Sequence, residues 1–289
     1  MSDSADHVDA FLVGPLSGDR YVDEGVTRPG GGALNMAVHQ TRRGLRVELV
    51  SRVAESQRDL VDSFLRRNGV PATSSLYVPG EPCTIDVRFA DDRQPMMDHF
   101  VEGILADFRL SDQEVGRLAT GTPTHLVLVD VVDRELHRLA STGAVDGMNL
   151  TGDFLSFRHF TVERFAATMR HLDIGFVGWP SEPTDDVVAE LVATTVAAGQ
   201  MLVVTFGSVG LRVVDARDPG APIDRWFDVD ARPVVGTTVG CGDAFIAAFL
   251  ASWHSGAHHH DLDRAVDAGR ELGAAATTWR LALPDDAFE

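Results

Sequence analysis

The sequence predicts an α/β protein built on a doubly wound, mostly parallel β-sheet flanked by helices, and three observations carry that expectation. Short apolar runs closed by glycine alternate with longer segments of helical period. The 289 residues, 44% hydrophobic and 24% charged, suffice to bury a full core. One region, near 76–100, breaks the rhythm with strand-like alternation, which adds a small β appendage to the main sheet. A single domain over 1–289 follows, with lid strands expected at about 14–28 and 76–101.

The elements come in chain order. A first strand is read in VDAFLVG (8–14), a helix in ALNMAVHQTRRGL (33–45) and a second strand in VELVSRV (47–53). Arg42 and Arg43 at the end of that helix suit its negative C-terminus. LVDSFLRRNGV (60–70) returns to helical spacing. In Thr84–Phe89 the residues alternate, and Asp91-Asp92 signals a turn, so a hairpin or two edge strands is expected; with 14–27 it forms a flap over one end of the sheet. HLVLVDV (125–131), IGFVGW (174–179) and MLVVTFG (201–207) are further strands, and DVVAELVATTVAAG (186–199) is the helix before the last of them. DAFIAAFLASW (243–253) is a strongly apolar helix.

Composition excludes several activities. A formal charge of −18 opposes nucleic-acid binding, which depends on cationic side chains displacing counterions. All 25 cationic side chains are arginine; the absence of lysine, which a compositional bias explains, rules out a Walker-A loop, a protein-kinase lysine and Schiff-base chemistry. Cys83 and Cys241 have no CxxC spacing, which suits a reducing compartment and no disulfide framework. The opening MSDSADHVDAF lacks a basic-then-apolar leader, and no run of about 18 apolar residues occurs, so a cytoplasmic protein without membrane partners is expected.

The strongest chemical signal is VGTTVGCGDAFIAAFL (235–250). Small residues at a helix start turn main-chain N–H groups toward one point, where the helix dipole adds positive potential for an anion. Asp243 in that first turn can accept a hydroxyl proton while the amides of Gly240, Cys241 and Gly242 stabilise a transferred phosphoryl group. Asp is also a favoured N-cap, and local spacing leaves both roles open.

Thr237–Phe245, TTVGCGDAF, resembles the C-terminal signature of the ribokinase-like (PfkB) carbohydrate kinases, DTxGAGD. GGGALN (30–35) looks like the family's GGxxxN sugar-binding turn, and Thr205, Gly207 and Gly210 in VTFGSVG are similar to its TxGxxG nucleotide loop. The order and spacing of the three motifs agree with the family across nearly the whole chain. EGILADF (102–108) and IAAFLASW (246–253) resemble the fructoselysine 6-kinase branch. The resemblance implies ATP- and Mg²⁺-dependent transfer of the γ-phosphoryl group to a primary hydroxyl of a sugar or sugar-amine adduct, with Asp243 as base. It implies that Asp19, in the turn after the first strand, binds sugar hydroxyls with Gly31 and Asn35, since a carboxylate or carboxamide can bridge two hydroxyls. It also implies that Thr205, Gly207, Gly210 and Thr238 face the nucleotide, and that the helix at 263–276 flanks adenine. Each has a plainer account: Asp19 as a turn residue, Asn35 as a helix cap, and the small residues of 263–276 as close packing.

The chain departs from the family pattern at several points. Thr237 replaces the aspartate near the monovalent-cation site, which puts potassium activation in doubt. In the place of the NxxE element, Glu182 can reach a metal through water, but Trp179 stands where asparagine is usual. Gly14-Pro15 replaces a first-strand Gly-Asp, and Ala54 the glycine after Arg-Val. These changes keep open a nucleoside kinase or a silent sugar- or nucleotide-binding sensor. His258–His260 are read as a solvated connection rather than a metal site. Lid strands offer edges through which a homodimer could pair.

Overall fold

The computed structural model describes residues 7–73, 76–90, 93–256 and 260–289. They form two compact units, one from the described residues of Met1–Phe108 and Arg232–Glu289, the other from Arg109–Ala231.

In the first unit, β1 (Ala10–Val13) lies parallel to β4 (Val47–Val50). Between them run β2 (Ser17–Tyr21), β3 (Val26–Gly30) and α1 (Gly32–Arg42). β5 (Val53–Ala54) and α2 (Arg58–Arg67) follow, then β6 (Tyr77–Val78), which pairs with β5. β7 (Thr84–Phe89) and β8 (Pro95–Val101) are antiparallel partners, and with β2 and β3 they build a separate four-stranded sheet in the order β3-β2-β7-β8. Asp91 and Asp92, read as the turn of that hairpin, lie outside the described residues. β2 is almost wholly buried, whereas β8 is a solvent-facing edge.

The second unit opens with α3 (Asp112–Leu118), whose N-cap Ser111 and Glu114 exchange side-chain bonds in a capping box. β9 (Pro123–Val127), α4 (Asp130–Ser141), β10 (Asn149–Asp153), α5 (Val162–Met169), β11 (Ile174–Gly178), α6 (Asp186–Ala198) and β12 (Met201–Thr205) alternate. Their strands are parallel, and β13 (Leu211–Asp215) and β14 (Ile223–Phe227) extend the sheet antiparallel. Met201 to Val204 are fully buried, which is why this strand reads as an unbroken apolar run: a parallel strand is covered on both faces.

The chain then returns to the first unit through α7 (Cys241–Trp253) and α8 (Leu262–Ala276). α7 packs on α1 and α8 and buries Ala244, Ala247, Ala248 and Phe249 completely. Burying the Phe249 ring contributes about 2–3 kcal/mol. A β-carbon at Gly269 of α8 would meet the Phe245 ring at 2.8 Å, so this small residue is accounted for by close helix contact. His260 closes the end of α7, stacking on Trp253 and donating its N–H to the Trp253 carbonyl; His258 and His259 lie outside the described residues.

Candidate active site

Three elements of the first unit bring polar side chains together: β2, the start of α1 and the start of α7. Asp19 is in the middle of β2, not in a turn: Ser17–Tyr21 is a strand paired with β3 on one side and β7 on the other. Its carboxylate is buried, and Oδ1 accepts a 2.6 Å hydrogen bond from Ser17 Oγ. A β-carbon at Gly30 would collide with that carboxylate, so the glycine run leaves room for the acid. Gly31 is the N-cap of α1 at φ 105°, where a side chain would run into the Pro15 carbonyl.

Asn35 is inside α1 and caps nothing; its amide nitrogen donates to the carbonyl of Gly31, and its side-chain Nδ2 donates to Asp243 Oδ2 at 2.7 Å. Asp243 is likewise not an N-cap: Gly240, in the left-handed conformation at φ 76°, takes that position, and Asp243 is the third residue of α7. Only glycine fits at 240, because a β-carbon would strike the Ala282 carbonyl. Nothing surrounds Gly242, which is exposed. The expected trio of amides needs one correction. The Cys241 N–H points back to the Thr238 carbonyl at 3.3 Å, because the turn closes on itself there, whereas Gly242 and Asp243 have no backbone acceptor for their N–H groups among the described residues.

Burial dominates the electrostatics. It raises the Asp243 carboxyl to about 6, with the Asn35 hydrogen bond pulling the other way. Burial raises Asp19 to about 7; the Ser17 bond opposes this, and the charge of Asp243 adds to it. Two carboxylates that feel each other therefore titrate near neutrality, and their apparent values belong to the pair. Burial also lifts the thiols of Cys241 and Cys83 to about 12, which favours their protonated form near neutral pH.

The remaining candidates lie in the second unit, apart from Thr238, whose Oγ1 donates to Gln94 Oε1. Thr205 ends β12, and its carbonyl accepts the Trp179 N–H at 2.8 Å. Gly207 is exposed at φ 58°, and Gly210 at φ 150° is backed by the Trp226 ring, where a β-carbon would collide. Glu182 is exposed, and the Trp179 indole donates to Asp185 Oδ2 at 2.9 Å. No group of three or more metal-ligating side chains occurs among the described residues, although an exposed carboxylate suits a magnesium ion held mainly by phosphates. Sequence reasoning missed Ser17 and Gly30. Their signals were a hydroxyl two residues before Asp19 on the same strand face and a third glycine where the turn alone needs one.

Comparison with known proteins follows the same lines. The family model described as pfkB family carbohydrate kinase matches residues 174–283. Fructoselysine 6-kinase of Escherichia coli (strain K12) is 27% identical over 229 residues, covering 78% of this chain and 82% of that protein. Among solved structures, ribokinase from Arabidopsis thaliana complexed with ribose and ATP is similar over 97% of each chain, with a TM-score of 0.75 and 19% identity. A fructokinase double mutant from Vibrio cholerae O395, in its fructose-, ADP- and potassium-bound form, is similar over 95% of this chain and 94% of its own, with a TM-score of 0.69 and 19% identity. The α/β fold is of the ribokinase type. No helix of the described residues is long and apolar enough to cross a membrane.

Proposed function

We propose that this chain is a carbohydrate kinase of the pfkB kind that uses ATP to phosphorylate a sugar, that its acceptor is the primary hydroxyl of a sugar-amine adduct of the fructoselysine kind, and that Asp243 is the base. The observation that carries this reading is the Asn35–Asp243 hydrogen bond, which joins the glycine turn to the carboxylate of α7.

Asp243 takes the acceptor hydroxyl proton as that oxygen forms a bond to the γ-phosphorus and the bond from phosphorus to the β,γ-bridging oxygen breaks. ADP leaves, and the proton passes from Asp243 to solvent. With a carboxyl group titrating near 6, Asp243 is mostly ionised at pH 7 yet basic enough to take a proton, close to the optimum for a general base. Asn35 holds the ionised oxygen in place, and the N–H groups of Gly242 and Asp243 at the positive end of α7 stabilise charge on the transferred group. Asp19, fixed by Ser17, binds sugar hydroxyls beside the Gly31 turn. Thr205, Gly207 and Gly210 hold the nucleotide through main-chain groups. Glu182 would help hold Mg²⁺ through water, and the ion would supply charge neutralisation on the phosphates.

The 27% identity to fructoselysine 6-kinase of Escherichia coli supports the substrate class, as does the resemblance of the segments 102–108 and 246–253 to that branch. Purified protein with ATP, Mg²⁺ and a panel of fructoselysine, glucoselysine, fructose, ribose, adenosine and inosine tests it. ADP release should be fastest with fructoselysine; preference for a nucleoside rejects the proposed acceptor. Asp243→Asn should lower kcat about 10³-fold or more.

A further inference from the structure

The loop that opens α7 is gripped from two sides, and the two grips differ in kind. On one side the C-terminal segment holds it through main chain alone. Val235 and Gly236 donate to the Thr277 carbonyl at 3.1 and 2.8 Å, and side chains at Gly236 or Gly240 would collide with the carbonyls of Trp279 or Ala282. On the other side two adjacent threonines meet two adjacent residues at the tip of the β7–β8 hairpin. Thr237 Oγ1 donates to the Arg93 carbonyl at 3.3 Å and accepts the Val239 N–H at 3.2 Å. Thr238 Oγ1 donates to Gln94 Oε1 at 2.9 Å. The tip is itself closed, with Arg93 N–H donating to the Ala90 carbonyl, Ala90 N–H to the Gln94 carbonyl, and Arg93 in the left-handed region at φ 63°.

We propose that Gln94 is a positioning residue for phosphoryl transfer: through Thr238 it fixes the loop whose end presents the Gly242 and Asp243 amides and the Asp243 carboxylate. The role rests on the proposed use of Asp243. β7, which leads into the tip, pairs with β2 at Ile85↔Asp19, so the strand that carries the acceptor-binding acid and the hairpin that holds the phosphoryl loop belong to one hydrogen-bonded unit.

The test uses the full-length protein. Amide hydrogen exchange of the 236–243 segment in the free enzyme needs no substrate. Gln94→Leu and Thr238→Val should each speed exchange there about fivefold to tenfold, and the double variant should add nothing further, as expected when both remove one bond. With an accepted sugar, Gln94→Leu should lower kcat by the same factor and leave the sugar KM within about twofold, while Gln94→Glu, which keeps the acceptor oxygen, restores most of the loss. Wild-type exchange in both single variants, or effects that multiply in the double variant, overturns the proposal. If Gln94→Leu fails to fold, Thr238→Val reports the same bond from its other end. Retained turnover in Asp243→Asn would sink the proposed base instead and leave the exchange result standing.

Discussion

The acceptor-side cluster and the loop after β12 both begin in glycine turns, yet they are built differently. Around α1 and α7 the glycines make room for side chains: Gly30 yields to the Asp19 carboxylate, and the Gly31 turn starts the helix that carries Asn35 to Asp243. In Thr205–Gly210, TFGSVG, there is no charged side chain, and the glycines at φ 58° and 150° shape main chain alone. The difference follows from the ligands proposed for each. A sugar hydroxyl is selected by a carboxylate fixed by its own partner, whereas phosphates are met by amide groups that any residue supplies, a requirement a chain without lysine can satisfy.

The sharpest way to break this comparison is Asp243→Asn. The amide keeps the shape but cannot take a proton, so kcat should fall about 10³-fold or more while ATP affinity stays within about threefold, measured by ADP release and nucleotide titration. A joint loss of both would mean that the two regions do not divide the work as proposed. Asp19→Asn comes next: losing a charged acceptor for sugar hydroxyls should reduce kcat/KM for the sugar about 10- to 100-fold with the KM for ATP unchanged. This variant has a second readout. Because folding raises the Asp19 carboxyl from 3.8 to about 7, its contribution to stability is present below the unfolded value and lost as pH rises through about 7. Asp19→Asn should therefore raise Tm at pH 8 relative to wild type and not at pH 3.

The same contrast explains what was legible in the sequence. The parallel strands announced themselves because burial on both faces demands unbroken apolar runs, as in MLVV at 201–204. Gly240 and Asp243 were legible because a left-handed turn before an apolar helix demands glycine and leaves few polar positions. Asp19, expected in a turn, lies in a strand, since SGDRY is a poor strand by propensity and is held as one by pairing with β3 and β7. The partners Ser17, Gly30 and Gln94 were not legible. Gly30 and Gln94 matter through room left for, or a contact with, a residue distant in sequence, and Ser17 through a hydroxyl two residues from Asp19 on the same strand; no hydrophobic period records any of these.

A smaller effect sharpens the acceptor side itself. The acid limb of kcat/KM should rise through an apparent pKa near 6 rather than near 4, because burial holds the Asp243 proton more tightly. The Asn35 bond stabilises the ionised carboxylate, so Asn35→Ala should move that limb upward in pH, and a limb that stays in place would separate Asn35 from the titrating group.

The smallest expected effect concerns potassium. Where the carbohydrate kinases that this chain resembles carry an aspartate, Thr237 is 1% exposed and uncharged. Its hydroxyl proton goes to the Arg93 carbonyl, and its oxygen already accepts the Val239 N–H. A cation at this side chain would find no negative charge and would have to displace bonds that hold the loop, so the side chain does not fit one. Initial rates at constant ionic strength should therefore change less than about twofold when potassium chloride is replaced by tetramethylammonium chloride. A drop beyond about tenfold would show that a cation, and not the Thr237 hydroxyl with the hairpin tip, sets the loop before α7.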